Sequence, residues 1–282
     1  MPRPVLLVTG TSTGIGRATA VEAARSGWDV VATVRDTERA QGLRRAAEEA
    51  RVELDVRALD VTDPSSVTTL LAGIASDHGG LDALVNNAGA GHLGTLELED
   101  PEELRRVMEV NFFGTVAVTR AALPMLRATR GRVVTVSSVG GAIGQPFNED
   151  YCAAKFAIEG FFEAFAPVAA SVGVHVSLVE PGAVRSSFVD NVGVDAQAMI
   201  GQAGAYAPAL GSYLDRTSSA FASTHAQDPE DVATVILQTL RAAEPAFRVQ
   251  TSDWARDFVG TKLSDVDGSR VQSAMRGWIG TS

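Results

Sequence analysis

The sequence predicts an α/β fold, with one Rossmann-type doubly wound parallel sheet of about seven strands and helices on both faces. Short apolar runs alternate with amphipathic stretches of helical length, which is typical of strand–helix–strand units. The runs are rich in Val and Leu without polar interruption, as expected of strands buried on both sides. Glycine-rich and polar motifs follow directly after several of these runs. In such sheets ligands bind at the carboxyl ends of the strands, so the motifs lie where a site is expected.

The first half of the chain alternates strands and helices from its start. Val5–Val8 is a continuous apolar run and Trp28–Val34 is a second. Val52–Leu59 alternates apolar and polar residues, and Leu81–Val85 is a fourth strand-like run. The predicted helices between them are Ile15–Arg25, Glu38–Ala50 and Pro64–Asp77, the last opened by a favourable Asp-Pro start.

The second half continues this alternation with longer helices. A helical stretch from Pro101 to Ala128 precedes a fifth strand, Arg132–Ser137. The helix Tyr151–Ser171 leads to a sixth strand, Val174–Val179, which Pro181-Gly182 terminates. A helix is predicted after Asp228-Pro229, followed by a last strand, Phe247–Gln250.

We expect residues 1–282 to form a single domain, because nothing between residues 1 and 185 has the composition of a linker. Within it, residues 188–222 are expected to form a substrate flap. Residues 251–282 form a C-terminal extension that packs either on the domain or on a partner subunit.

The composition excludes several classes of protein. The chain is 45% apolar and 21% charged, which is ordinary for a globular protein. Its net charge is −10, which argues against a nucleic-acid partner. The single cysteine, Cys152, excludes an internal disulfide, and the four histidines (positions 78, 92, 175 and 225) show no ligand spacing, so no metal site is expected. No stretch has the length of a membrane span or a signal core, so we expect no membrane partner and a cytoplasmic location.

A glycine-rich turn separates the first strand from the first helix. Gly10 permits a tight turn, Gly14 lets the backbone approach a pyrophosphate, and Gly16 allows the helix to pack closely on the sheet. The helix amino terminus then offers free N–H groups to phosphate oxygens. Between the glycines stand Ser12, Thr13 and Ile15. The alternative is a purely structural corner, but the strand–turn–helix setting favours nucleotide binding.

A candidate acid–base pair lies on the predicted helix Tyr151–Ser171. Tyr151 and Lys155 are four residues apart and share a helix face. A neighbouring ammonium lowers the pKa of a phenol towards neutrality. Ser138, at the end of the fifth strand, can donate a hydrogen bond to a carbonyl oxygen that gains negative charge. Each residue alone has a structural explanation, whereas their combination beside a phosphate turn favours catalysis.

With Thr9 before it, the turn reads Thr-Gly-x-x-x-Gly-x-Gly and resembles the short-chain dehydrogenase/reductase family in its single-domain branch. Further matches follow in order over residues 5 to about 187, and more loosely to 250. They are Asp60, the run Asn86-Asn87-Ala88-Gly89, Asn111, the set Ser138, Tyr151 and Lys155, and Pro181-Gly182. The strand ending Ala-Thr-Val-Arg-Asp and the long tail resemble the hydroxysteroid and retinol dehydrogenase-like subgroup.

The resemblance implies a role for each matched residue. Tyr151 is the proton donor or acceptor as hydride moves, Lys155 tunes Tyr151 and binds the nicotinamide ribose, and Ser138 orients the substrate oxygen. Asn111 holds a water in a proton relay. The residues implied to contact the cofactor, besides the turn, Tyr151 and Lys155, are Arg35, Asp60, Val61, Asn87, Ala88, Gly89, Pro181, Gly182, Val184 and Ser186. The family's carboxamide-binding threonine is replaced by Ser186 or Ser187.

The end of the second strand bears on the choice of cofactor. An acid there would bind the ribose hydroxyls and exclude a 2′-phosphate. This chain has Thr33 where NAD-selective relatives have the acid, and Arg35 is placed to meet a phosphate. Asp36 could neutralise Arg35. On balance we expect NADP(H) rather than NAD(H).

The predicted function is an NADP(H)-dependent ketoreductase or secondary alcohol dehydrogenase. The flap has no charge between Asp195 and Asp215, which suits an apolar ketone or alcohol, although an ordinary packing helix explains it equally well. The alternative is a non-catalytic redox sensor on the same fold. An extended-branch sugar-nucleotide epimerase fits the glycine spacing poorly. Family analogy implies a homodimer or homotetramer through the helical regions Pro101–Ala128 and Tyr151–Ser171.

Overall fold

The computed structural model describes residues 3–186, 196–223 and 226–280. In this part of the chain seven strands form one sheet in the order β3-β2-β1-β4-β5-β6-β7, and every pairing is parallel. The predicted fold class is confirmed. The strands are β1 Val5–Val8, β2 Asp29–Val34, β3 Asp55–Ala58, β4 Ala83–Asn86, β5 Arg132–Val136, β6 His175–Glu180 and β7 Arg248–Gln250.

Helices cover both faces of the sheet because alternate strand residues point to opposite sides. Leu7 and Leu84 belong to a core shared with α3, α5 and α6, whereas Leu6 and Val85 belong to a core shared with α1 and α9. The helices are α1 Gly14–Arg25, α2 Gln41–Ala50, α3 Pro64–His78, α4 Pro101–Met108, α5 Gly114–Thr129, α6 Glu149–Ala170, α7 Ala196–Gln202, α8 Ala207–Ala222, α9 Pro229–Arg241, α10 Asp253–Leu263 and α11 Ser269–Trp278.

The long helix predicted from Pro101 to Ala128 is interrupted by a π-helical turn, Glu109–Phe113. The Asn111 side chain donates to the Val107 carbonyl oxygen at 3.0 Å and so competes for an acceptor of the regular helix. The backbone widens at this point, and Asn111 is 1% exposed.

Two predicted boundaries also shift. The third strand starts at Asp55 rather than Val52, because the Val52 N–H still bonds the Ala47 carbonyl at the end of α2. The second helix starts at Gln41 rather than Glu38, because Asp36 caps a separate short turn, Thr37–Arg39.

The strand order reverses between β1 and β4, which creates a crevice at their carboxyl ends. The turn after β1 and the loop after β4 meet there. Within the described ranges, no helix combines the length and apolarity that crossing a bilayer requires.

Candidate active site

The glycine turn has the shape that the sequence predicts. Gly10 and Gly14 have φ values of +69° and +56°, a conformation that L side chains rarely adopt. A Cβ at Gly10 would lie 2.7 Å from the Cα of Ala88, and a Cβ at Gly16 would overlap the Asn87 amide and the Gly10 carbonyl. Side chains are thus excluded from the turn by sterics.

A polar clamp of Thr9 and Asn87 fixes the turn against the loop after β4. The Thr9 hydroxyl accepts from the N–H groups of Asn87 and Ala88, at 2.9 and 3.0 Å. The Asn87 amide donates to the carbonyls of Thr9 and Gly10, at 3.0 and 2.9 Å. Because these bonds are made to backbone atoms, the clamp sets the position of both loops.

The amino end of α1 differs from those of α3 and α4. Asp63 and Asp100 cap the latter two by accepting backbone N–H bonds. At α1 the capping position is Thr13, whose side chain makes no capping bond, and the first turn contains no acid. The N–H groups of this turn are therefore directed towards an external anion, which fits a pyrophosphate.

Ser138 and Tyr151 meet at the carboxyl end of β5. Their side chains share a hydrogen bond, which lowers the pKa of Tyr151, but burial has the larger effect and raises it above the ordinary value of 10.0. Gly140 separates them without crowding, since a Cβ there would lie 3.3 Å from Ser138 Oγ and 3.5 Å from the Tyr151 ring. The expected lowering of the Tyr151 pKa by Lys155 is absent, because burial outweighs the effect of Lys155.

Lys155 lies one helical turn beyond Tyr151 and is 6% exposed. Its Nζ donates to the Val136 carbonyl at 2.9 Å and lies 5.7 Å from the centre of the Tyr151 ring. Burial lowers the pKa of Lys155 from 10.5 to about 8, while the charge of Glu159 raises it. The ammonium is thus held by the β5 backbone, a partner that spacing along α6 did not indicate.

Asn111 approaches Lys155 across Gly89. Its side chain exchanges two hydrogen bonds with the Ala90 backbone, accepting at 3.2 Å and donating at 2.9 Å. A Cβ at Gly89 would lie 2.8 Å from Asn111 Oδ1 and 3.9 Å from Lys155 Nζ. The structure thus brings Asn111, Gly89 and Lys155 together beside Tyr151.

Arg35 lies at the rim, two residues beyond Thr33. Thr33 is fully buried, and its hydroxyl donates to the Val8 carbonyl at 3.2 Å. Asp36 does not neutralise Arg35: its carboxylate accepts from the Glu38 N–H and pairs with Arg39 at 3.3 Å. Arg35 is exposed, and no hydrogen bond or ion pair engages it within the described part of the chain.

The remaining predicted cofactor residues line the same crevice. Asp60 is engaged locally, since its carboxylate accepts from the Thr62 N–H and hydroxyl at 2.9 and 2.7 Å. Ser186 faces the turn, because a Cβ at Gly14 would lie 3.2 Å from its Cβ. Trp254 covers Gly182 closely. Val61 packs on the core, and Pro181 and Val184 are buried.

An apolar cluster borders the catalytic side of the crevice. It unites the flap with the loop before α6 and with the C-terminal extension, which in the described residues packs on its own chain. Asn148 donates to the Tyr213 hydroxyl at 2.6 Å, which adds a polar link. Ser187 and residues 188–195 lie outside the described residues. The cluster's buried members are Phe147, Ala203, Leu210 and Tyr213, with Leu93, Met199, Ile200, Ala207, Ala209, Leu214, Trp278 and Ile279 against them.

Comparison with known proteins places the chain in a family. The sequence model for short chain dehydrogenase matches residues 4–197. This chain belongs to the short-chain dehydrogenase family. Human 17-beta-hydroxysteroid dehydrogenase type 1 is 37% identical over 98% of this chain and 85% of its own length. Bovine retinol dehydrogenase 8 is 38% identical over 95% and 87%. The predicted subgroup is thereby confirmed, and the chain is a short-chain NAD(P)-dependent oxidoreductase that acts on CH–OH groups of small molecules.

Solved structures agree with this assignment. A short-chain dehydrogenase from Streptomyces avermitilis superimposes with a TM-score of 0.77 at 30% identity, covering 98% of both chains. An actinorhodin polyketide ketoreductase with NADPH gives 0.75 at 27% identity, over 88% of this chain and 95% of that one. A Mycobacterium paratuberculosis enzyme bound to NAD gives 0.72 at 26%, with the same coverage.

Proposed function

We propose that this protein reduces an apolar ketone to a secondary alcohol with NADPH, and that Tyr151 donates the proton. The observation that carries the proposal is the contact of Ser138 with Tyr151 at the end of β5, with the buried ammonium of Lys155 one helical turn further along. NADPH, when bound, supplies the hydride.

The raised pKa of Tyr151 favours this direction of reaction. A phenol that burial keeps protonated at neutral pH is a donor rather than a base. Ser138 is positioned to donate a hydrogen bond to the carbonyl oxygen as it gains charge. Lys155, with a pKa of about 8, is still protonated at neutral pH and supplies positive charge near the alkoxide. We assign Asn111 to the path that returns a proton to Lys155.

The cofactor contacts follow from the shape of the crevice. The turn and the amino end of α1 hold the pyrophosphate, and Asn87, Ala88 and Gly89 line the middle of the crevice. Pro181, Gly182, Val184 and Ser186 border the nicotinamide end, while Asp60 and Val61 border the adenine. Arg35 meets a 2′-phosphate, since its guanidinium is exposed and Asp36 is engaged elsewhere.

The substrate class follows from the apolar cluster. Its side chains come from the flap, from the loop before α6 and from α11, and most are aliphatic or aromatic. Such a lining suits an apolar ketone better than a phosphorylated or acidic one. In this proposal the whole chain is one domain, in which residues 188–222 act as the flap and residues 251–282 complete its wall.

The proposal is tested by following absorbance of NADPH and of NADH with a panel of cyclic and long-chain ketones. Consumption of NADPH with apolar ketones, and little with their carboxylated analogues, is the expected result. Binding of NADPH without turnover of any ketone would favour the redox sensor, which no observation of this structure supports.

We also propose a homodimer or homotetramer in the cytoplasm. Apolar side chains on α4, α6 and the turn between α4 and α5 are exposed, including Phe113 at 50% and Val168 at 61%. Light scattering after size exclusion tests the assembly: a monomer at micromolar concentration would refute it.

A further inference from the structure

A buried cluster of His92, Glu99 and Asp150 lies beside the catalytic tyrosine. One potential ligand atom from each residue lies within 4.8 Å of the others. His92 Nε2 is 2.8 Å from Glu99 Oε1 and 3.9 Å from Asp150 Oδ2. The three side chains are only 8%, 14% and 12% exposed. Chemistry of this kind is absent from the proposed reduction, which uses none of the three.

The contact between His92 and Glu99 is close without being a hydrogen bond. Glu99 Oε1 is buried and has no hydrogen-bond partner, although the imidazole nitrogen is near enough to be one. Both atoms present lone pairs to a common region. Around a cation with ligand distances near 2.1 Å, neighbouring ligand atoms lie about 3 to 3.4 Å apart. The cluster needs sub-ångström side-chain shifts to reach that geometry.

The charge around the cluster is unbalanced. Glu149 and Glu103 add negative charge to that of Glu99 and Asp150. The cation that contributes there, Arg106, pairs with Glu103 at 2.8 Å. Burial, and then Asp150, raise the pKa of Glu99, while burial lowers the pKa of His92. A neutral imidazole with two carboxylates carries the charge that one divalent cation would balance.

The backbone of the loop is shaped around these side chains. Glu99 packs directly over Gly94, where any Cβ would overlap its carboxylate. Gly94 in turn forms a bridge with Asn148, and its N–H donates to the Phe147 carbonyl at 2.9 Å. The loop that carries His92 and Glu99 is thus attached to the segment that leads into α6.

We propose that His92, Glu99 and Asp150 bind one divalent transition-metal cation of the Zn²⁺ type, which fastens this loop to the first turn of α6. Mixed imidazole and carboxylate ligands favour Zn²⁺ over Mg²⁺, which prefers oxygen ligands alone. Since Asp150 directly precedes Tyr151, the cation would fix the end of the helix that presents the phenol.

The test measures metal content and thermal stability rather than activity. The full-length protein is stripped with chelator, titrated with Zn²⁺ in a calorimeter, and analysed for bound zinc after dialysis. The variants are Glu99→Gln and His92→Gln. The control is His78→Gln, because His78 also faces a carboxylate, that of Asp55 at 2.9 Å, but Arg57 occupies the third side of that cluster.

We expect one Zn²⁺ per chain in the wild type and in His78→Gln, and at least tenfold weaker binding in both cluster variants. Zn²⁺ should raise the melting temperature of the wild type and leave that of Glu99→Gln unchanged. Absence of binding to the wild type, or equal binding by the wild type and the cluster variants, would overturn the proposal. If Glu99→Gln does not fold, His92→Gln alone decides between these outcomes.

Discussion

The two sides of the crevice are built by different interactions. On the cofactor side, Thr9 and Asn87 bond to backbone atoms and the glycines leave no room for a Cβ. On the substrate side, Phe147, Tyr213 and Trp278 make contacts that depend on shape and apolarity. Directed bonds allow few substitutions, whereas apolar packing tolerates many. The cofactor side therefore shows the family, while the substrate side specifies only a class of ligand.

The largest expected effect lies where the two sides meet. Tyr151→Phe removes the proton donor but retains the ring, so we expect kcat to fall about 10²- to 10⁴-fold with little change in the Kd of NADPH. Steady-state kinetics and fluorescence titration measure the two quantities. Activity within a few-fold of wild type would assign the proton to another group.

Replacement of Arg35 tests the rim of the cofactor side. Arg35→Ala should raise the KM for NADPH about 10- to 100-fold and leave the KM for NADH unchanged, because a charge-assisted bond to the 2′-phosphate is lost. Arg39→Ala is the matched control, since Arg39 is also exposed but pairs with Asp36. An equal effect of both changes, or none of Arg35→Ala, would refute the preference for NADP(H).

Replacement of Gly16 tests the clamp itself. Gly16→Ala places a methyl group against the Asn87 amide and the Gly10 carbonyl, so we expect a loss of about 1–3 kcal/mol of stability and about tenfold weaker NADPH binding. Gly160→Ala makes the same change in α6, where a Cβ meets open space, and should be neutral or stabilising. Thermal denaturation and cofactor titration follow both. Similar behaviour of the two variants would show that the turn tolerates side chains.

The smallest effect is expected on the substrate side. Trp278 stacks with Phe258 at 5.7 Å, and Arg216 lies over its ring at 4.6 Å. Trp278→Ala should raise the KM for apolar ketones about tenfold while the KM for NADPH stays constant, since only apolar contact is lost. Trp28→Ala, at the start of β2, serves as a control for general destabilisation. A change in the NADPH constant alone would separate α11 from the substrate.

Much of the fold was predictable because local patterns determine it. Buried Val/Leu runs gave the strands, and steric demands at Gly10, Gly14 and Gly16 gave the turn. The division of the long helix was not predictable, since it depends on Asn111 bonding to Ala90, 21 residues away. The Val136 carbonyl that holds Lys155 was also missed, because any residue supplies a carbonyl.

The cluster beside Tyr151 illustrates the same limit. His92 had no partner by histidine spacing, since its neighbours are acids, one of them Asp150, which lies 58 residues along the chain. Trp254 over Gly182 was likewise hidden, because the contact joins the C-terminal extension to the end of β6. Such contacts depend on how the loops at the sheet edge converge, which periodicity does not reveal.

The most direct measurement follows deuterium from NADPH labelled at the transferable position into the product of an apolar ketone. Mass spectrometry after a single turnover should show one deuterium on the carbinol carbon with wild type, and almost none formed in the same time by Tyr151→Phe with cofactor bound. An unlabelled product, or equal labelling by both proteins, would contradict hydride transfer completed by a proton from Tyr151.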